Sequence, residues 1–298
     1  MVQRYFGATP VSLAEVVRAD AEWCLYRGGS GFSTELFAKK VAIVGCGSLG
    51  AELAAMLAKA GVGSFVLVDD EVLDWGNVSR HFLGGIYVGQ SKATALASEL
   101  SRQLPWLETK ALVSSAEALL DESPEILRCC DLIISTTGDW TSECMLNAAC
   151  RTLTRFPATI FGWTEAYGIA GHALATFGSG GCLACGTSEF GVFESRVSEW
   201  AEHHQTMLQS TGCGDLFQPY SATDIAPTKA IIAELALDVL RGTVRDSALR
   251  TWIGDTSRLT SLGGRLRECW AKRADVGELN KRMLASSWPR NPNCPLCN

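Results

Sequence analysis

The chain has 298 residues, 47% of them hydrophobic, and a formal net charge of −6 at pH 7. Such a length and apolar content suit one elaborated, well-cored domain, and the acidic balance excludes the clustered Lys and Arg surface that nucleic acid demands. MVQRYFGATP lacks signal-peptide form and no run of eighteen apolar residues occurs, so the expectation is a cytoplasmic enzyme without a membrane partner.

Residues 1–40 are expected to form an N-terminal helical segment. VSLAEVVRADAEWCLY (11–26) has helical spacing, and GGSGFSTELFAKK looks like a turn with a short lead-in helix. A linker from an upstream domain would also join here.

Residues 41–44 are a β-branched run fit for a buried parallel strand, and Gly45, Gly47 and Gly50 follow at the spacing of a phosphate-cradling turn. Leu49, Leu53, Met56, Leu57 and Ala60 then recur at helical spacing, so that first-turn amides would face an anion. Residues 65–68 make a second strand ending at Asp69, an acid able to accept hydrogen bonds from a ribose. To this point a nicotinamide enzyme fits equally well. Asn77, Arg80, His81 and Lys92 shift the balance, because an enzyme attacking the α-phosphate of ATP needs positive charge and a magnesium ion where pyrophosphate departs. DLIIS (131–135) reads as a further buried strand leading into TTGD, which puts Asp139 at the carboxyl edge of the sheet, where it is placed to hold magnesium.

Residues 159–175 mix β-branched, aromatic and glycine residues, as strands continuing the sheet would, and His172 among them is read as a satisfied buried imidazole. Twelve cysteines in a reducing compartment do not imply a disulfide lattice. Cys182 and Cys185 form one CxxC and Cys294 and Cys297 another, a spacing that completes a closed tetrahedral zinc site with a folding role. Cys46, Cys129, Cys130, Cys144 and Cys150 read as small core residues, while nothing functional attaches to Cys24 or Cys269. Cys213 lies between a polar stretch and a helix expected from about residue 223 to 240, where backbone amides can stabilise a thiolate. His203 and His204, just before it, are read as solvated. Residues 274–289 are expected as a short charged helix with a Trp-Pro exit.

GCGSLG, VDDEVLDWGNVSRHFL, GQSKA and TTGD, in that order, resemble the adenylation domain of the ubiquitin-activating-enzyme superfamily, which includes the bacterial ThiF and MoeB proteins. The resemblance implies Asp69 for the ribose hydroxyls, Asn77, Arg80 and Lys92 for the phosphates, and Asp139 for magnesium. It also implies zinc in the paired clips, Cys213 as acceptor of the activated acyl group, and a homodimer in which an N-terminal Arg, Arg4 or Arg27, serves the partner's ATP site. His81 stands where relatives carry Gln. WTEAYGIAGHAL resembles bacterial members encoded with ubiquitin-conjugating-like partners, some in antiphage defence.

The resulting expectation is an α/β fold: a Rossmann-like, mostly parallel sheet flanked by helices, continued by an antiparallel part, with a zinc site near the C-terminus. The adenylation domain would span 41–298, including a crossover loop at about 186–222. Its activity would be adenylation of the C-terminal carboxylate of a small protein or protein tail, then thioester formation on Cys213 and transfer to a conjugating-like partner. A sulfur-carrier adenylyltransferase shares every adenylation residue, and an inactive binding scaffold belongs to another class.

Overall fold

The computed structural model describes residues 14, 16–26, 33–188, 191–201, 204, 206–209 and 216–297. The main sheet takes β1 (Lys40–Val44), β2 (Ser64–Val68), β3 (Glu108–Leu112), β4 (Leu132–Ser135), β5 (Ala158–Thr164) and β6 (Ala170–Thr176). Beyond these come β7 (Ser198–Trp200), β8 (Leu208–Gln209), β9 (Leu216–Phe217), β10 (Ala248–Ile253), β11 (Gly264–Leu266) and β12 (Arg282–Ser287). Eight of them form one sheet in the order β12-β10-β6-β5-β4-β1-β2-β3. Its β3-to-β5 half is parallel, and β6, β10 and β12 extend it antiparallel. The small pairs β7–β11 and β8–β9 stand apart from it.

The centre of the parallel half forms because β1 and β2 are apolar on both faces, while β3 is a polar edge strand. Val41, Ile43, Phe65 and Leu67 enter one core while Ala42, Val44, Val66 and Val68 enter the other, so helices must cover both sides. After α1 (Ala21–Tyr26) and α2 (Thr34–Phe37), the helices α3 (Gly50–Lys59) and α4 (Lys92–Gln103) add Leu53, Leu57, Leu96 and Leu100 to the first core. Across the sheet, α5 (Ala116–Glu122), α6 (Pro124–Arg128) and α7 (Trp140–Thr152) supply Leu119, Leu127 and Leu146, and α8 (Ala226–Leu240) returns to the first side with Ile231, Ile232 and Leu235. Each such fully buried side chain contributes about 1.5–3 kcal/mol. The chain winds from β1 towards β3 one way and from β4 to β5 the other, which opens a crevice at the carboxyl ends of β1 and β4. Among the described residues no helix is long and apolar enough to cross a membrane.

Two expectations fail. Residues 16–19 are not helical, and Val16 and Val17 lie exposed, at 91% and 72%; the helix begins after Asp20, whose carboxylate accepts the Trp23 N–H at 3.1 Å and pairs with Arg18. Residues 282–287 are not helical either: β12 pairs with β10 at the sheet edge, with Leu284 turned to a small core of Ala170, Val197 and Ile253. Within residues 274–281 the helical element is a single 3-10 turn, Val276–Glu278.

Candidate functional site: a carboxylate-lined cleft beside a glycine turn

Gly45 leaves β1 with φ +89°, and a Cβ there would lie 2.8 Å from the Thr137 nitrogen. A Cβ on Gly50 would fall 1.9 Å from the Gly45 carbonyl, so both positions need glycine for the turn to sit between helix and sheet. Gly47 differs, having nothing within 4 Å of the equivalent point; it faces open space. The helix α3 starts without a side-chain cap, leaving first-turn N–H groups for an anion.

Gly45, Gly47, Asp69 and Asp139 line one cleft of about 280 Å³, with Asp70, Glu71, Ser114, Ser115, Glu117 and Ser142. A shallower hollow of about 360 Å³, lined by Thr256, Ser257, Leu259, Thr260, Leu266, Val276 and Gly277, contains none of these motif residues and no titratable side chain. Asp69 is 9% exposed, and burial raises its pKa even though its oxygens accept the N–H groups of Cys46 at 2.6 Å and Glu71 at 2.9 Å. These two bonds fix the carboxylate against the turn. His81 adds a clasp: its Nδ1 accepts the Leu83 N–H at 3.0 Å, so Nε2 carries the proton and donates to the Cys46 carbonyl at 2.7 Å. Burial lowers its pKa and keeps the ring neutral.

The three phosphate-binding candidates do not line the cleft. Lys92, 6% exposed at the start of α4, is ion-paired with Glu71, which does line it. Arg80 donates to the Gly76 carbonyl at 2.6 Å and lies over the Tyr220 ring at 5.7 Å. Asn77 exchanges hydrogen bonds with Asp74 inside a turn. No Lys or Arg lines the cleft among the described residues, so its walls are net negative. A triphosphate would enter only with a cation, and with Arg80 or Lys92 turned inward.

Asp139 caps α7, accepting the Ser142 N–H through Oδ1 at 2.8 Å. Its carboxylate is exposed at the wall of the cleft that Asp70, Glu71 and Glu117 also line, and a carboxylate oxygen is the kind of ligand magnesium takes. Glu143 follows on the same helix, 9% exposed, and burial, then the neighbouring Asp139 charge, raises its pKa to about 7. Its Oε1 is buried without a hydrogen-bond partner among the described residues.

The two CxxC clips meet across a sequence separation of more than a hundred residues, 112 for Cys182–Cys294 and for Cys185–Cys297. Cys182 Sγ lies 3.8 Å from Cys185, 3.5 Å from Cys294 and 3.4 Å from Cys297, and Cys185 lies 3.5 Å from Cys297. A tetrahedron of thiolates about 2.3 Å from zinc has edges near 3.8 Å, so the thiols fit such an ion with a slight outward adjustment. Trp288 covers the cluster and donates to the Cys182 carbonyl at 2.9 Å, and Asn147, 1% exposed on α7, accepts the Leu183 N–H.

A family model described as the ThiF family matches residues 24–253. The chain belongs to the ThiF family. It is 31% identical over 291 residues to the "ATP-dependent ubiquitin transferase-like protein Cap2" of Pseudomonas aeruginosa, which covers 95% of this chain and 47% of that protein. It is 32% identical over 142 residues to mouse "Adenylyltransferase and sulfurtransferase MOCS3", 47% of this chain and 30% of that one. The chain thus spans less than half the length of these curated relatives. Escherichia coli MccB, solved with ATP, aligns with a TM-score of 0.59 at 15% identity over 89% of this chain and 67% of that chain, a likeness of fold.

Several residues of this ThiF-family chain stand differently from their sequence-based expectations. Cys213, His203, Arg4 and Arg27 lie outside the described residues. His204 is half-buried, stacked on Trp200 at 4.6 Å, rather than solvated. Cys46, Cys130 and Cys150 are buried as expected, but Cys129 is exposed because α6 ends there and its side chain turns outward, and Cys144 is only partly buried. His172 is fully buried and satisfied, by Glu165 at 2.9 Å and Thr251 at 3.1 Å. Glu165 was not singled out in sequence. It accepts the Val197 and Ser198 N–H groups at 2.7 and 2.8 Å and the Ser198 hydroxyl, and these bonds together with His172 hold its pKa down against burial. Tyr220 was missed too, although an aromatic just before α8 was visible.

Proposed function

We propose that the chain activates the C-terminal carboxylate of a small protein or protein tail by ATP-dependent adenylation and then takes the acyl group on Cys213. The observation that carries this is the convergence of Gly45, Gly47, Asp69 and Asp139 on one cleft at the switch point of a ThiF-family sheet. In this reading Asp69 holds the ribose hydroxyls, α3 amides face the α-phosphate, and Asn77, Arg80 and Lys92 offset charge on the phosphates. Magnesium held by Asp139 would supply charge compensation for the departing pyrophosphate. A carboxylate oxygen attacks the α-phosphorus, the bond to the β-phosphate breaks, and pyrophosphate leaves. The Cys213 thiolate then attacks the acyl carbon and AMP leaves, giving a thioester for a ubiquitin-conjugating-like acceptor. Zinc in the four-cysteine clip would tie the tail to α7 with no open position for catalysis. A cytoplasmic homodimer completes the reading, and the Cap2 likeness supports a place in a bacterial ubiquitin-like system of antiphage type.

The MOCS3 likeness, to a protein whose name joins an adenylyltransferase to a sulfurtransferase, supports a second reading, sulfur-carrier adenylation. Pyrophosphate–ATP exchange that depends on an added protein tail tests the adenylation step, and its absence with every tail, Gly-ended ones included, would leave the inactive scaffold. A thiol-sensitive adduct lost in Cys213→Ala separates thioester transfer from a thiocarboxylate product.

A further inference from the structure

We propose that Tyr220 is the positioning residue for Arg80, an inference that rests on the adenylation reading above. Tyr220 comes from the irregular segment between β9 and α8, 140 positions beyond Arg80, and its half-buried ring packs against the first core. Its hydroxyl shares a hydrogen bond of 3.0 Å with Ser48, inside the glycine turn, while its ring carries the Arg80 guanidinium at 5.7 Å. The backbone is pinned one residue earlier, where the Pro219 carbonyl accepts the Tyr167 N–H at 2.8 Å. One side chain therefore joins the turn that would receive the phosphates to the cation that would meet them.

The two cations are held by different chemistry. Lys92 is neutralised by Glu71, whereas no carboxylate pairs with Arg80 among the described residues, and its companions are a ring face and a carbonyl. A cation–π contact orients a guanidinium without cancelling its charge, and the flat face permits it to turn while contact persists. Arg80 does not line the cleft, so a holder that keeps it charged and close, yet releases it cheaply, is what a phosphate-seeking arginine requires. The Ser48 bond sets the ring's height relative to the turn. Tyr220 thus acts through Arg80 on the β- and γ-phosphates and has no role towards the nucleoside.

The test is calorimetric titration of Mg·ATP and, separately, AMP into the full chain and into Arg80→Ala, Tyr220→Leu, Tyr220→Phe and the Arg80→Ala/Tyr220→Leu double variant, each with a matching melting temperature. The expected result is a loss of ATP affinity of about fivefold or more in Tyr220→Leu, little change towards AMP, partial retention in Tyr220→Phe, and no further loss in the double variant beyond Arg80→Ala. An unchanged ATP affinity in Tyr220→Leu beside a weakened Arg80→Ala, an equal loss towards AMP, or additive losses would overturn the positioning role alone. Wild-type protein that does not bind Mg·ATP, or an Arg80→Ala that binds it normally, would overturn the adenylation reading and the inference with it.

Discussion

The imidazole of His81 donates through Nε2 to the carbonyl of Cys46 at 2.7 Å, joining the segment after β2 to the glycine turn. Because Nδ1 accepts the Leu83 N–H, both ring nitrogens are used, and protonation would place a donor against a donor. Burial lowers the His81 pKa, so its contribution to stability is present above the ordinary histidine value and is lost as pH falls through the lowered one. His81→Leu is expected to cost about 1–3 kcal/mol in urea unfolding at pH 8, with the gap to wild type narrowing by pH 5. His81→Gln, offering one donor and one acceptor, retains more of that stability. A gap constant across this range would refute the lowered pKa of the buried ring.

Glu143 behaves with the opposite sign. It sits in the first turn of α7, where the helix dipole favours a carboxylate by up to about 1 kcal/mol, yet burial wins and moves its pKa from 4.5 up to about 7. A carboxyl raised on folding supports the fold fully below its unfolded value and loses that support as pH rises to the folded one. Wild type should therefore weaken between pH 4.5 and 7 relative to Glu143→Gln, by roughly 3 kcal/mol at most. Denaturant melts of the two proteins at pH 4.5 and 8 measure this, and parallel profiles would show that Glu143 is not a buried titrating acid.

Glu165 ties the start of the segment after the first clip to the sheet, through Val197, Ser198 and His172. Glu165→Gln keeps the volume but turns an NH2 towards at least one N–H donor, so a loss of about 2–4 kcal/mol is expected. Thr251→Val, which removes only the outer His172 partner, should cost less. Thermal unfolding of both variants orders them, and equal losses would mean that the carboxylate is not the centre of the network.

Much of this molecule is legible in its sequence where burial is two-sided or spacing is strict. Residues 41–44, 65–68 and 132–134 of β1, β2 and β4 are apolar without a break because both faces meet a core, and the CxxC pairs announce a tetrahedral cluster by spacing alone. Residues 16–20 mislead because their helical period has no apolar surface to cover, and Val16 and Val17 remain in solvent. β12 escapes notice since only Leu284 of its six residues joins a core, too weak an alternation to compete with the flanking charges. Asp69 and Asp139 are placed in the cleft by motif order, but the parked states of Arg80 and Lys92 depend on Tyr220 and Glu71, partners that no local pattern connects to them.

The clip should hold one zinc ion per chain by elemental analysis of protein purified without chelator. Cys294→Ser should lose the metal and melt at least about 5 °C lower, with the tail near Trp288 becoming open to protease. A metal-free wild type of unchanged melting temperature would mean that the four thiols are held by packing alone.

The most direct measurement is a crystal structure with magnesium and a non-hydrolysable ATP analogue. The account predicts the ribose hydroxyls on Asp69, the α-phosphate beside Gly47 and the first turn of α3, the metal on Asp139, and Arg80 and Lys92 turned to the phosphates. Nucleotide bound away from this cleft, or bound here with Asp139 uninvolved, would contradict it.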